Sequence, residues 1–223
     1  MRVISFCLWG RELKYCKGAL KNIELAKVFY PDWTCIFYCD QTVPANIKKE
    51  IKNSPNAKLV NVDIVGDWKF TVNRFLPMSY NGLEYMISRD TDSRISERES
   101  EAVLEWIDSG ASAHIMRDHP FHGGFPILAG MFGVKGGTIK NIQALLSLYV
   151  NKEQYHYDQI FLEKYIYPLI QNSVLVHDSF FEKKPFPTAR RGLEFVGQVY
   201  DENENTNRNH LIALERAVKN ENK

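Results

Sequence analysis

Two aspartates, Asp90 and Asp92, lie one residue apart directly after a short apolar run at residues 83–88. If this run is a strand, alternate side chains point to the same face, so both carboxylates project from one side of its end. Carboxylates held so close repel each other, and a divalent cation removes the repulsion. Mg²⁺ and Mn²⁺ typically bind through one or two carboxylates plus substrate phosphates. The spacing therefore indicates a Mg²⁺ or Mn²⁺ site that also holds a diphosphate.

The residues after the acidic pair favour this interpretation over an acidic turn in solvent. Ser96 and Glu99 form a capping-box pattern, which predicts a helix over residues 97–108. A strand, an acidic turn and a helix N-terminus in succession are a favourable place for an anion and its metal. Arg89 and Arg94 flank the pair. The bland alternative for these two arginines is ion pairing with Glu97 or Glu101 at the surface.

The elements that must hold this site alternate between strand-like and helix-like patterns. A continuous apolar run predicts a strand at residues 3–9, and shorter or interrupted apolar runs predict strands at residues 33–39, 57–62, 83–88, 113–116 and 174–176. Apolar spacing predicts helices at residues 14–29, 44–51, 97–108, 140–149 and 158–169. Residues 67–77 fit a helix or a loop. Alternation predicts an α/β fold, with a central, mostly parallel, twisted sheet flanked by helices. We expect one domain over residues 1–200 and a polar, mobile tail over 201–223, with a short helix near 211–218.

Bulk composition is that of an ordinary globular protein. The 223 residues are 44% hydrophobic and 25% charged, with a net charge of +1, so the charge offers no case for binding nucleic acid. No apolar stretch reaches the roughly 20 residues that cross a bilayer, and we expect a cytoplasmic or otherwise soluble protein without a membrane span. The four cysteines include no C-x-x-C pair, which favours reduced core thiols over a zinc site.

Polar residues follow other predicted strands as well. In open α/β sheets the ligand crevice lies outside the carboxyl ends of the strands, so these residues are candidates for the same pocket. They are Gly10, Asp40, His119, His122 and His177. A metal held by two aspartates commonly takes an imidazole, and His177, after an apolar run, is the preferred candidate. His119 and His122 lie in a Gly/Pro-rich loop, where substrate contact and metal binding are both open.

A glycine at position 130 interrupts the apolar run at residues 127–134. Glycine allows tight turns and also close approach of a ligand to the backbone. A tight turn and contact with a sugar ring are therefore both open for Gly130. The chain contains neither the G-x-x-x-x-G-K-[ST] loop nor the G-x-G-x-x-G fingerprint of nucleotide-binding folds.

Together these residues resemble the GT-A class of nucleotide-sugar-dependent glycosyltransferases. Residues 88–94 occupy the place of the D-x-D motif of that class, and residues 128–133 look like its small-residue strand beside the donor sugar. Asp158-Gln159 resembles a D-Q element of some retaining members, and His177 resembles their late metal-binding histidine. The stretch from about residue 70 to 200 is similar to small bacterial and viral proteins, including the first domain of a chlorovirus capsid-glycan glycosyltransferase.

The resemblance implies a set of roles for residues of this chain. The implied metal ligands, for Mn²⁺ or Mg²⁺, are Asp90, Asp92 and His177. The implied nucleoside pocket is lined by Leu8, Trp9, Gly10 and Asp40. The residues implied to face phosphate, or to hold the acidic turn, are Arg74 and Arg89. The residues implied to surround the transferred sugar are Gly130, Asp118, Asp158 and Gln159, of which the last three are candidate catalytic groups.

The resulting hypothesis is a metal-dependent glycosyltransferase. It would move a hexose or deoxyhexose from a nucleotide sugar, by default a UDP-sugar, to a glycan or glycoprotein acceptor, with retention of configuration. An inverting enzyme would need a carboxylate base, for which Asp118, Asp158 and Asp178 are candidates.

Three alternatives remain. A phosphatase or phosphotransferase of the common type needs its acidic pair after the first strand, where this chain has Trp9-Gly10. A sugar-nucleotide pyrophosphorylase needs a glycine-rich loop there, which residues 10–13 do not supply. A non-catalytic carbohydrate-binding domain would bind glycan without nucleotide.

Overall fold

The computed structural model describes residues 1–149 and 156–221. Its centre is a seven-stranded sheet in the order β3-β2-β1-β4-β6-β5-β7. The strands are β1 Arg2–Leu8, β2 Trp33–Cys39, β3 Ala57–Asn61, β4 Tyr85–Ser88, β5 Ala113–Arg117, β6 Phe132–Lys135 and β7 Val174–Asp178. The pairs β1–β2, β1–β4, β2–β3 and β5–β7 are parallel, and β6 runs antiparallel to both β4 and β5. The predicted α/β fold with a mostly parallel sheet is confirmed.

Helices cover both faces of this sheet. They are α1 Leu13–Phe29, α2 Ala45–Asn53, α3 Glu97–Ser109, α4 Ile142–Leu148, α5 Tyr157–Phe161, α6 Tyr167–Ile170 and α7 Arg208–Glu221, with a π-helical turn, Leu162–Ile166, between α5 and α6. A 3₁₀ helix, Trp68–Ser79, precedes β4. In the described part of the chain, no helix is both long and apolar enough to span a bilayer.

The continuous apolar runs fold as central strands because both faces of the sheet are buried. Val3 and Ile4 of β1 point to opposite faces, and each is fully buried. One apolar cluster contains Val3 and packs under the 3₁₀ helix and the segment from α4 to α6. The other contains Ile4 and packs under α1, α2 and α3. Burying two apolar layers leaves the polar chemistry at the edge where the strands end.

Helix α3 begins and ends where its sequence predicts. The Ser96 side chain accepts a hydrogen bond from the backbone N–H of Glu99 at 3.3 Å, which satisfies one of the orphan donors of the first turn. Gly110 ends the helix in the left-handed conformation, with φ 73°, as glycine does at helix C-termini. Between these ends, Trp106 is fully buried and packs edge-on against Tyr85 of β4. This packing fixes α3 against the strand that carries the acidic turn.

Several expectations need correction. Residues 128–131 form a turn, closed by a bond from the N–H of Met131 to the carbonyl of Leu128 at 3.0 Å, and the strand expected there begins only at Phe132. Residues 67–77, open between helix and loop, form the N-cap, Asp67, and most of the 3₁₀ helix. The tail forms a helix over Arg208–Glu221, longer than expected. The helix predicted over residues 140–149 is observed over Ile142–Leu148, and residues 150–155 lie outside the described residues.

Candidate active site

A cleft of about 550 Å³ lies at the ends of β1 and β4 and contains the acidic turn. It is lined by Asp90, Thr91 and Asp92 of the turn, by residues 7–12 at the end of β1 and in the loop after it, and by parts of the 3₁₀ helix, of the 128–131 turn and of α5. The two parallel strands end at the same edge of the sheet, so the polar residues that follow them meet there. The sequence prediction of a pocket at this edge is consistent with the cleft.

The acidic turn is held by its own backbone carbonyls. The carbonyls of Thr91 and Ser93 accept bonds from the Asn22 amide of α1 and the Arg94 guanidinium, at 2.8–3.4 Å. The Ser93 hydroxyl donates to the carbonyl of Asp90 at 2.9 Å. The carbonyl of Asp92 accepts from the backbone N–H of Tyr200 at 2.8 Å. All four carbonyls are thus bonded to protein, which leaves the two carboxylates to line the cleft.

Tyr200 and Glu204 belong to a segment that straps the turn from outside. Val199 forms an antiparallel bridge with Ser93. Glu204 accepts two bonds from the Arg94 guanidinium, at 2.8 and 3.2 Å, and the same guanidinium lies 5.0 Å from the centre of the Tyr200 ring. Bidentate pairs of this kind fix orientation as well as position. We call residues 199–206 the C-terminal strap.

Arg74 of the 3₁₀ helix joins two carboxylates in the cleft. One terminal nitrogen of its guanidinium bonds Asp90 and the other bonds Asp158 of α5. Arg74 is buried, and although burial opposes its charge, the two carboxylates raise its pKa above the usual value. The Asp90 side chain is still 48% exposed, so it is available to a ligand in the cleft. Arg74 therefore sets the spacing between the acidic turn and α5.

Asp92 is the more enclosed carboxylate, with 16% of its side chain exposed. Burial and repulsion from Asp90 raise its pKa to about 6, while the Lys14 ammonium, 3.9 Å away, partly opposes the rise. A carboxylate in this situation gains from a nearby cation. Carboxylate oxygens are preferred ligands of Mg²⁺ and Mn²⁺, so Asp90 and Asp92 fit the implied metal.

The turn at residues 128–131 is pinned against the end of β4. The backbone N–H of Ala129 donates to the Gln159 side chain at 2.6 Å, and the Ser88 hydroxyl donates to the carbonyl of Ala129 at 2.7 Å. A Cβ placed on Gly130 would lie 2.0 Å from Oδ2 of Asp90. Glycine at 130 therefore makes room for the carboxylate of Asp90. From the sequence alone, a tight turn and contact with a sugar ring were both open for this glycine.

The wall formed by the end of β1 contains three of the expected nucleoside-pocket residues, Leu8, Trp9 and Gly10. Asp40, the fourth, does not line the cleft. Its carboxylate accepts bonds from Thr42, Val43 and Gly66 at 2.7–3.2 Å. The Thr42 hydroxyl in turn accepts from the N–H of Gly10 at 2.7 Å. Asp40 thus supports the wall through the loop after β2.

Arg89 and Asp118 are buried away from the cleft, which corrects their expected roles. Arg89 alternates with Asp90 and points to the other face of the sheet, where it bonds Glu99 at 2.7 Å. This is an internal ion pair, neither a phosphate contact nor a surface pair. Asp118 follows β5 and accepts bonds from Arg98 and Arg190 at 2.6–3.0 Å. Neither residue lines the cleft.

His177 is not brought to the aspartates, which corrects the expected third metal ligand. It lies within β7, at the far edge of the sheet, and is 1% exposed. Its Nδ1 is 2.7 Å from Nε2 of His114, and its Nε2 is 3.3 Å from Glu105. Two strands, β6 and β5, separate β7 from β4. Among the described residues, no group of three His, Cys, Asp or Glu side chains could hold a metal, so an ion on Asp90 and Asp92 would need further ligands, such as substrate phosphates and water.

Several lining residues were missed from the sequence. They are Tyr15, Trp68, Thr71, Phe121, His156, Gly197 and Val199. Trp68 packs edge-on against Trp9 at 5.8 Å between ring centres. Composition alone does not distinguish this tryptophan from the aromatic residues of the core. Gly197 and Val199 are 105 or more positions after Asp92, and no local pattern connects them.

A second cavity, of about 600 Å³, lies behind the acidic turn and contains four arginines. All four have a carboxylate partner: Arg94 pairs with Glu204, Arg98 and Arg190 with Asp118, and Arg191 with Glu97. The second cavity shares no lining residue with the cleft. These arginines are already paired within the protein, so the cleft is the better candidate for chemistry.

No family model matches this chain, and neither does any curated protein. Solved structures do resemble it. A glycosyltransferase involved in the glycosylation of the major capsid of PBCV-1 aligns with a TM-score of 0.52 and 14% identity, over 83% of this chain and 90% of that one. The chain has a GT-A-like fold.

Two other solved structures with this GT-A-like fold represent different activities. The galactosyltransferase LgtC, in complex with donor and acceptor sugar analogs, aligns with a TM-score of 0.51 and 14% identity, over 80% of this chain and 74% of its own. The 4-diphosphocytidyl-2C-methyl-D-erythritol synthase from Anaerococcus prevotii aligns with a TM-score of 0.51 and 11% identity, over 85% of this chain and 91% of its own. A shared fold does not decide between them, and the site must.

Proposed function

We propose that the chain is a metal-dependent glycosyltransferase that moves a hexose or deoxyhexose from a UDP-sugar to a glycan or glycoprotein acceptor, with retention. The observation that carries the proposal is the pair Asp90 and Asp92, held by their backbone at the edge of a cleft large enough for a small-molecule ligand. The GT-A-like fold supports it, since glycosyltransferases share that fold.

Each side of the cleft has a task in this reaction. Trp9 and Gly10 would contact the nucleoside, and Asp90 and Asp92 would hold Mg²⁺ or Mn²⁺ with the diphosphate. The bound ion would offset the negative charge that develops on the departing diphosphate. Arg74 keeps Asp90 in place, and its second partner, Asp158, lies beside Gln159 at the start of α5. Asp158 and Gln159 are the groups we assign to the transferred sugar.

The alternatives are less well supported by the geometry. The loop after β1 has one glycine, Gly10, so it lacks the glycine-rich loop that a sugar-nucleotide pyrophosphorylase would need. No carboxylate pair follows β1, where a common phosphatase would carry its nucleophile. A non-catalytic carbohydrate-binding domain has no need of two carboxylates beside a buried guanidinium.

Titration calorimetry of UDP, with and without Mn²⁺, tests the proposal, followed by a panel of sugar nucleotides. We expect UDP to bind only with the ion, and Asp92→Ala to abolish binding and transfer with little change in melting temperature, because the carboxylate is not part of the core. Full activity of Asp92→Ala with Mn²⁺ in excess would refute the assignment. Anomeric NMR of the product tests retention, and an inverted linkage would end that part of the proposal.

A further inference from the structure

The cleft has a charged half and an uncharged half. Among the described residues that line it, the charged side chains follow β1 and β4 or lie on the 3₁₀ helix and α5: Arg11, Glu12, Arg74, Asp90, Asp92 and Asp158. The uncharged half is formed by residues 121–122, 128, 131, 197 and 199, whereas Ala129 and Gly130 of the same turn lie against Gln159 and Asp90 on the charged side. The proposed donor accounts for the charged half. The uncharged half has no assigned ligand.

The loop that carries residues 121–122 is anchored by Asp118. Its carboxylate accepts bonds from Arg98 and Arg190, from the Ser179 hydroxyl at 2.6 Å and from the backbone N–H of Val196 at 3.0 Å. These partners come from four parts of the chain, so the loop cannot move without breaking a buried network. Burial alone would raise the pKa of Asp118, but its guanidinium and hydroxyl partners hold it below the usual value.

Two histidines in the loop have defined proton positions. Nδ1 of His119 accepts from the N–H of Phe121 at 3.0 Å, so its proton is on Nε2, which donates to the carbonyl of His210 in α7 at 2.9 Å. Nδ1 of His122 accepts from the N–H of Asp118 at 3.0 Å. The proton of neutral His122 is therefore on Nε2, and this residue lines the cleft. Burial and the neighbouring His119 lower the pKa of His122 to about 3, so it is a neutral donor at physiological pH.

Phe121 is the exposed aromatic of this loop. Its side chain is 62% exposed, although it lines the cleft and packs edge-on against His119 and His210, at 5.0 and 5.8 Å between ring centres. A large apolar side chain held rigid and exposed beside a cleft is poorly placed for stability and well placed for a ligand. Phe121 is next to His122 in the chain, so this part of the cleft offers both an apolar ring and the Nε2–H donor.

We propose that Phe121 and His122 form the acceptor subsite of the cleft and bind an uncharged pyranose ring, an inference that rests on the proposed glycosyl transfer. A pyranose has an apolar C–H face and hydroxyl groups at its rim. The Phe121 ring packs against the C–H face, and Nε2–H of His122 donates to a hydroxyl. The uncharged lining of this half favours a neutral sugar over an acidic one.

Saturation-transfer NMR with methyl glucoside, methyl galactoside and methyl rhamnoside tests the subsite, on the protein alone and with Mg²⁺ and UDP. We expect Phe121→Ala to weaken glycoside binding about tenfold, as loss of an aromatic anchor does, and Phe121→Trp to retain it. The matched control is Phe181→Ala, since Phe181 is 47% exposed and does not line the cleft. UDP affinity with Mg²⁺ and the melting temperature should stay the same in all three variants.

Equal glycoside binding by Phe121→Ala and the unchanged protein would overturn the subsite, and so would the absence of binding by the unchanged protein at millimolar glycoside. Loss of UDP binding in Phe121→Ala would also overturn it, because the residue would then act on the donor. Failure of the proposed function looks different. In that case the unchanged protein would not bind UDP with Mg²⁺, while the glycosides would still bind in a manner that depends on Phe121.

Discussion

Replacing Gly130 with alanine should damage the cleft and leave the fold intact. The added Cβ would lie 2.0 Å from Oδ2 and 2.6 Å from Cγ of Asp90, whereas real Cβ contacts are essentially never shorter than 3.0 Å. The φ angle of Gly130 is not in the left-handed region, so alanine strains no backbone. The carboxylate must therefore move by about 1 Å.

The expected size of the effect follows from this displacement. A misplacement of about 1 Å can cost roughly 100-fold in a reaction that depends on orientation, which corresponds to about 2.7 kcal/mol. The stability change is small. Weakening the partly exposed pair between Asp90 and Arg74 costs about 0.2–1 kcal/mol, and replacing glycine by alanine returns about 0.4–1 kcal/mol by restricting the unfolded chain.

Calorimetry of UDP with Mn²⁺ measures the first effect, urea unfolding measures the second, and electron paramagnetic resonance of Mn²⁺ alone separates ion binding from nucleotide binding. The control is the double variant Gly130→Ala/Asp90→Ala. If the clash with the carboxylate is the cause, this variant should bind no more weakly than Asp90→Ala alone. Binding by Gly130→Ala within about threefold of the unchanged protein, or an unfolding free energy lower by several kcal/mol, would refute the steric reasoning.

Two further substitutions test the packing behind the acidic turn and the acid sensitivity of the fold. Gly18→Ala in α1 would place a Cβ 2.0 Å from the backbone oxygen of Thr91; backbone cannot yield as a side chain does, so we expect a loss of about 2 kcal/mol in urea unfolding, and an unchanged midpoint would contradict the contact. His114→Gln tests acid sensitivity, since burial, then His177 and Arg89, lower the pKa of His114 well below 6.5. The unfolded state takes up this proton and the folded state does not, so the stability is present above pH 6.5 and is lost as the pH falls. Between about pH 7.5 and 5.5 the variant should lose about 1.4 kcal/mol less than the unchanged protein; parallel curves would refute this.

Local sequence patterns were enough to predict strands that are buried on both faces and a helix that has a capping residue. The apolar runs of β1 and β2 are covered on both faces, and the start of α3 is marked by a capping residue, so the sheet and the place of Asp90 and Asp92 could be predicted. The 3₁₀ helix Trp68–Ser79 was not, because its form depends on contacts with β1 and α5 rather than on its own periodicity.

The predictions for His177 and Asp118 were wrong for identifiable reasons. His177 was placed at a strand end, but β7 continues to Asp178, and the histidine stays inside the sheet beside His114. Asp118 is a carboxylate directly after a strand, as a catalytic base would be, but it is paired with the guanidinium groups of Arg98 and Arg190. Whether a polar residue after a strand points into a cleft or into a buried network depends on partners that are distant in sequence.

The C-terminal strap has a consequence for the order in which this molecule matures. Arg94 and Glu204 are 110 positions apart, and the carbonyl of Asp92 has its partner at Tyr200. A chain is synthesised from its N-terminal end, and a domain generally folds as a unit. The acidic turn therefore gains its last supports only after residue 204 has been made. A nascent chain would thus carry an incompletely supported acidic turn through most of its synthesis.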